Sequence, residues 1–147
     1  MLIVNELRKR ESMDDTNIHA SVISGKVRIS SFTITAEKDD TELLIAYLPA
    51  GRGRALPVLC RIETTGVAGN FTVGTGAYTS AVPSEGAQAA VADNLCKATA
   101  AADGTVKSFS GPVEGLAYHS LEDIPVIFTG PITAGDVVKG LFVYNVT

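Results

Sequence analysis

The residues whose types suit catalysis or metal binding are few: two histidines, two cysteines and one crowded set of carboxylates. His19 and His119 each stand alone. His119 has Tyr118 beside it and Glu114, Glu122 and Asp123 within a few residues. A metal site or an acid–base pair there requires those side chains to converge, and nothing in their spacing imposes convergence. Ser120 follows His119 without the glycine-flanked pattern of a nucleophile elbow. Cys60 and Cys96 form no CxxC or zinc-ligand spacing, and two cysteines in a chain of this size do not make a secreted disulfide scaffold. They are expected as reduced, partly buried thiols. Glu37, Asp39, Asp40 and Glu42 crowd one turn but lack the spacing and glycine of a calcium loop, so a solvated turn is expected.

Glycine-rich segments give no phosphate cradle either. Gly74-Thr75-Gly76 lacks the third glycine and the opening helix of a dinucleotide fingerprint and reads as a bend that glycine permits. Gly51 and Gly53 lack a following Gly-Lys-Ser/Thr. Four Tyr and five Phe, with no Trp, sit singly in apolar stretches, which favours core packing over a base- or sugar-stacking platform. The formal net charge of -4 gives no electrostatic case for nucleic acid. Arg8, Lys9 and Arg10 cluster near the start, but Glu11, Asp14 and Asp15 follow at once and cancel their field beyond a Debye length of about 8 Å. Arg52 and Arg54 form a second basic pair. No run approaches the ~20 apolar residues of a membrane span, and Met1-Leu2-Ile3-Val4 lacks the basic-then-apolar order of a signal peptide. The chain is therefore read as a non-enzyme with no cofactor or metal site.

The elements that would position these residues are mostly strands. A length of 147 residues fits one domain, large enough to bury roughly two-thirds of its unfolded surface. Charged residues make up 19%, below the usual ~25%, as in chains that hide surface in an oligomer. Residues 1–25 read as an N-terminal arm, with a short helix near Val4–Arg10 possible, and residues 26–147 as one β domain. Val27 and Ile29 alternate with Lys26 and Arg28, then Phe32 and Ile34 continue one residue out of phase, so a β-bulge is expected at Ser30-Ser31. Glu37–Asp40 is a turn, and Glu42–Leu48, apolar on both faces, suits a central strand. Pro49–Arg54 reads as a loop. Leu56, Val58, Cys60 and Ile62 alternate with Leu59, Arg61 and Glu63 as a half-buried strand beginning at Pro57 or lying on an edge.

Gly66–Gly69 turns the chain into a short strand at Phe71 and Val73. The alanine-rich stretch 83–103, with Val91, Leu95 and Ala98 at helical spacing, fits a short helical insertion or a long loop. Strands are expected around Thr105–Ser110, Ile124–Thr129 and Val137–Val146. The fold class is all-β, a jelly-roll-like sandwich or barrel.

From residue 42 onward an ordered set of short motifs appears: Ile45-Ala46-Tyr47-Leu48-Pro49-Ala50-Gly51, Phe71-Thr72-Val73-Gly74-Thr75, Ala92-Asp93-Asn94-Leu95, Ile132-Thr133-Ala134-Gly135 and Lys139-Gly140-Leu141-Phe142-Val143-Tyr144. Together they resemble small virion proteins of tailed bacteriophages, the capsid cement or decoration proteins. That resemblance implies a jelly-roll-like domain on the outer surface of the shell, bound to the major capsid protein, commonly as a homotrimer, with no enzyme activity. The protein would be made in the host bacterial cytoplasm and end on the virion. The arm residues Leu2, Ile3, Val4, Leu7, Arg8, Lys9 and Arg10 are then the expected capsid contacts, and Tyr47, Phe142 and Tyr144 possible subunit-interface residues. The rival readings are a head-fibre, tail or adhesin module binding a host-surface glycan, and a small β-barrel enzyme.

Overall fold

A computed structural model describes residues 26–147; the expected arm, residues 1–25, lies outside them. The described chain is almost entirely extended. Its strands are β1 (Lys26–Thr35), β2 (Asp40–Leu48), β3 (Gly51–Ala55), β4 (Arg61–Thr65), β5 (Asn70–Thr75), β6 (Tyr78–Thr79), β7 (Ala87–Gln88), β8 (Val91–Ala100), β9 (Lys107–Ser108), β10 (Leu116–Ser120), β11 (Ile124–Ile132) and β12 (Val137–Val146).

Strand order identifies the architecture. One sheet runs β1-β12-β4-β9, and a second runs β2-β11-β5-β8. Counting these eight strands in chain order, the sheets read 1-8-3-6 and 2-7-4-5, the two interlocked Greek keys of a jelly roll. The short strands β3 and β10 extend the first sheet beside the C-terminal end of β12, and β6 and β7 form a separate hairpin.

Alternation along the strands builds the core. Ile124, Val126 and Phe128 of β11 are fully buried while the alternate Pro125, Ile127 and Thr129 are half-exposed. Phe128 stacks on Phe71 of β5 at 5.1 Å between ring centroids. From the opposite sheet Phe142 packs against Tyr144 at 5.8 Å and Phe109 at 6.5 Å. Such aromatic pairs contribute about 0.5–1.5 kcal/mol beyond their area burial.

Several local expectations are corrected. Strand β1 pairs with β12 in unbroken register from Lys26↔Val146 to Thr35↔Val137, so Ser30-Ser31 holds no bulge. The apolar phase switch is absorbed because both faces of β1 pack on the core: Phe32 opposite Gly140, and Val27 and Ile29 on the other face. A register shift lies instead in β2, where Ala46 faces Val126 and Leu44 faces Ile127, leaving Ile45 as the extra residue. The shift explains why adjacent Ile45 and Ala46 are both buried. Strand β2 is an edge of its sheet, not a central strand.

Gly51–Ala55 is a strand rather than a loop. The expected strand from Pro57 begins only at Arg61, because Pro57–Leu59 coils into one 3-10 turn with proline in its first turn, where its fixed φ and missing N–H cost little. The alanine-rich segment is neither helix nor loop. Val91–Ala100 is a ten-residue strand whose Leu95 and Cys96 are fully buried; pairing with β5 overrides the helix preference of alanine.

Candidate interaction sites

The first sheet carries a polar cleft on its outward face. In β3, Gly53 and Ala55 point to the core, so Arg52 and Arg54 point out. Antiparallel pairing sets His119 across from Arg52 and Ala117 across from Arg54, with Asn145 on the other side of Arg54. Alternation on β3 thus fixes a two-arginine row, and its neighbours add an imidazole and an amide.

The hairpin of β6 and β7 walls this row. It is held to the end of β10 by Ala81 N–H donating to the His119 carbonyl (2.9 Å) and Leu121 N–H donating to the Thr79 carbonyl (3.0 Å). Within it the Ser80 hydroxyl donates to Glu85 Oε1 (2.6 Å) and accepts from Val82 N–H (3.1 Å), which fixes the Glu85 carboxylate. The cleft encloses about 460 Å³, lined by Arg52, Arg54, Tyr78, Glu85, His119 and Asn145 among others. Burial, then the nearby Glu85 carboxylate, raises the Tyr78 phenol above its ordinary pKa. Arg54 Nη1 donates to the Glu114 carbonyl (2.9 Å). Among the described residues neither arginine is ion-paired; Lys139–Glu63, at 3.9 Å, is the ion pair found there.

The second sheet has a more apolar outward face. Leu44 and Tyr47 of β2 are 45% and 47% exposed, and they pair with half-exposed Ile127 and Pro125 of β11. These four side chains form a small exposed apolar patch on one sheet face.

Residues singled out from the sequence fall in different places. Tyr47 lies on this exposed face. Phe142 and Tyr144 are 0% and 3% exposed and pack in the chain's own core. Alternation in β12 could have flagged this, since Val138, Phe142 and Tyr144 share one face. Leu2, Ile3, Val4, Leu7, Arg8, Lys9, Arg10 and His19 lie outside the described residues.

The carboxylates of Glu122 and Asp123, near His119, hold turns. Glu122 accepts from Thr79 N–H, Asp123 Oδ1 accepts from Ala50 N–H (2.9 Å), and Glu114 contributes its carbonyl to Arg54. Asp39 and Asp40 likewise accept backbone N–H groups, from Ala134 and Thr41. Among the described residues no three His, Cys, Asp or Glu gather as a metal-binding set. Cys60 and Cys96 are both free and buried. No helix among these residues is long and apolar enough to cross a membrane. Sequence reasoning missed the cleft because Tyr78 and Glu85 reach it from a hairpin far from Arg52 in the chain.

No known protein-family profile matches the chain, and no characterised protein sequence matches it. A solved structure, a chain of the cyanophage Pam1 capsid asymmetric unit, is similar. It is 14% identical, with the match covering 92% of this chain and 100% of that one at a TM-score of 0.44. A likeness of that degree assigns no residue a role.

Proposed function

We propose that this chain is a structural virion protein of a tailed bacteriophage, a capsid cement or decoration protein that binds the outer surface of the major capsid protein shell as a homotrimer. The outward apolar face of β2 and β11, with Leu44 and Tyr47 exposed, carries the reading, since it offers a rigid sheet surface to another protein. The motifs behind the family resemblance support it by their positions. Leu48-Pro49-Ala50-Gly51 turns the β2–β3 corner, Val73-Gly74-Thr75 ends β5, and Thr133-Ala134-Gly135 turns the β11–β12 corner. These are corners that shape a jelly roll, and no catalytic role is proposed for any of them. Residues 1–25 serve as an arm on the shell, through Leu2, Ile3, Val4, Leu7, Arg8, Lys9 and Arg10. Trimerisation would multiply weak arm contacts by about 10²–10⁴ in avidity when geometry permits.

Co-sedimentation with the cognate phage shells tests this. Removing residues 1–20, or replacing Leu44 and Tyr47 together by serine, is expected to leave a folded domain that no longer sediments with shells. Undiminished sedimentation of both variants would sink the proposal. A second reading, a head-fibre, tail or adhesin module for a host-surface glycan, is favoured by the cleft between Arg52 and Tyr78.

A further inference from the structure

The cleft on the first sheet has a composition that packing does not require. Arg52 and Arg54 are exposed and are not ion-paired among the described residues. They stand on a rigid three-strand floor with His119 and Asn145, opposite a fixed wall bearing Tyr78 and Glu85. The chain as a whole carries a net charge of -4, so this positive row opposes the overall charge. We propose that the cleft binds an acidic saccharide, a sugar chain bearing carboxylates such as a uronic-acid polymer.

Each part of the cleft matches one part of such a ligand. A guanidinium fork pairs with a carboxylate through two parallel N–H···O bonds, a geometry lysine cannot supply. Arg52 is the freer fork, because Arg54 already donates to the Glu114 carbonyl. Across the cleft, Glu85 Oε1 is fixed by the Ser80 hydroxyl and retains lone pairs that accept from sugar hydroxyls. Tyr78 is half-buried beside it and offers an aromatic surface to a ring. A volume of about 460 Å³ falls within the several-hundred-Å³ range of small-molecule sites.

The wall also discriminates between ligand classes. An acidic peptide would use the arginines but bring its negative charges toward Glu85. A sugar acid places its carboxylate at one edge and neutral donors at the other, which fits a cleft with cations on the floor and an acceptor on the wall. Arg52 and Glu85 belong to opposite sides of the cleft, so charge and hydroxyl recognition can be tested separately. The inference stands apart from the capsid reading: a shell-bound protein and a fibre module could both present this face outward.

Titration of the full chain with trigalacturonate, followed by NMR shifts and calorimetry, tests it. Binding is expected, weakening with added salt because the charges are exposed. Arg52→Ala is expected to lower affinity about tenfold or more, in line with the loss of a charge-assisted pair. Glu85→Gln and Tyr78→Ala are expected to weaken binding less while leaving its salt dependence intact. Arg52 makes no side-chain hydrogen bond among the described residues, so its variant should keep the parent melting temperature. Neutral galactotriose is expected to bind far more weakly. Absence of binding at millimolar trigalacturonate, or binding unchanged by Arg52→Ala, would overturn the proposal. Equal binding of galactotriose would overturn the role of charge, and equal or tighter binding of tetraglutamate would assign the cleft to acidic peptides instead.

Discussion

The Cys60 thiol accepts the amide hydrogen of Val143 at 3.2 Å, standing in for a missing backbone partner. Strand β12 is paired by β4 up to Leu141 and by β3 from Tyr144. Between them the chain leaves the sheet at Leu56, coils through Pro57–Leu59 and returns at Cys60. Leu56 N–H donates to the Val143 carbonyl (3.0 Å) before the detour, and the Cys60 sulfur takes the Val143 N–H after it. The thiol itself donates to the Leu56 carbonyl at 3.4 Å. Cys60 therefore closes the ladder across an excursion of the neighbouring strand.

Replacing Cys60 by alanine leaves the Val143 N–H buried without that acceptor. A loss of about 1–3 kcal/mol is expected, the cost of an unsatisfied buried polar group. Cys60→Ser keeps an acceptor at the site and should lose less. Urea unfolding of both variants checks the order; equal stability of Cys60→Ala and parent would remove the thiol from the ladder.

The same thiol predicts an alkaline limit. Burial pushes its pKa from 9.0 to about 12, outweighing the lowering by the Val143 hydrogen bond and by Arg61. The folded state thus holds the proton more tightly than the unfolded state. Its stabilising contribution is full below pH 9.0 and is lost progressively as pH rises toward about 12. Stability measured across that window should fall less steeply in Cys60→Ser. At neutral pH the native thiol should resist aromatic disulfide reagents and react on unfolding; rapid native-state labelling of Cys60 would contradict its burial.

Gly74 lies beneath the Val91 carbonyl, and a Cβ there would overlap that oxygen and the Ala92 backbone. The close approach occurs where β5 and β8 shift register, and Asn94 completes the pairing through both atoms of its amide: Thr75 N–H donates to Oδ1 (3.1 Å) and Nδ2 donates to Thr75 Oγ1 (2.9 Å). Gly74→Ala is expected to cost about 1–3 kcal/mol through overpacking against backbone. A melting temperature equal to the parent's would show that β8 moves freely away.

Tyr118 lies over Gly53, whose side-chain position would be 2.7 Å from the phenol oxygen. That oxygen is buried and has no hydrogen-bond partner among the described residues. Tyr118→Phe removes the unpaired group while keeping the ring, so thermal unfolding should show stability unchanged or raised by up to about 1 kcal/mol. A clear loss would mean the hydroxyl is paired in solution.

The all-β class, the span of β12 and the turns at Glu37–Asp40 and Gly66–Gly69 were legible in the sequence. Each follows from an apolar run, a charged tetrapeptide or glycine, and all of these are local signals. Tertiary contacts decided the rest. Whether Pro49–Arg54 is loop or strand depended on β12 and β10 flanking it. Whether 83–103 is helix or strand depended on the open edge of β5, which outweighs alanine's local preference. The cleft could not be read from residue spacing, because Arg52, Tyr78, Glu85 and His119 come from four segments that only the jelly-roll connections and the docked hairpin bring to one face.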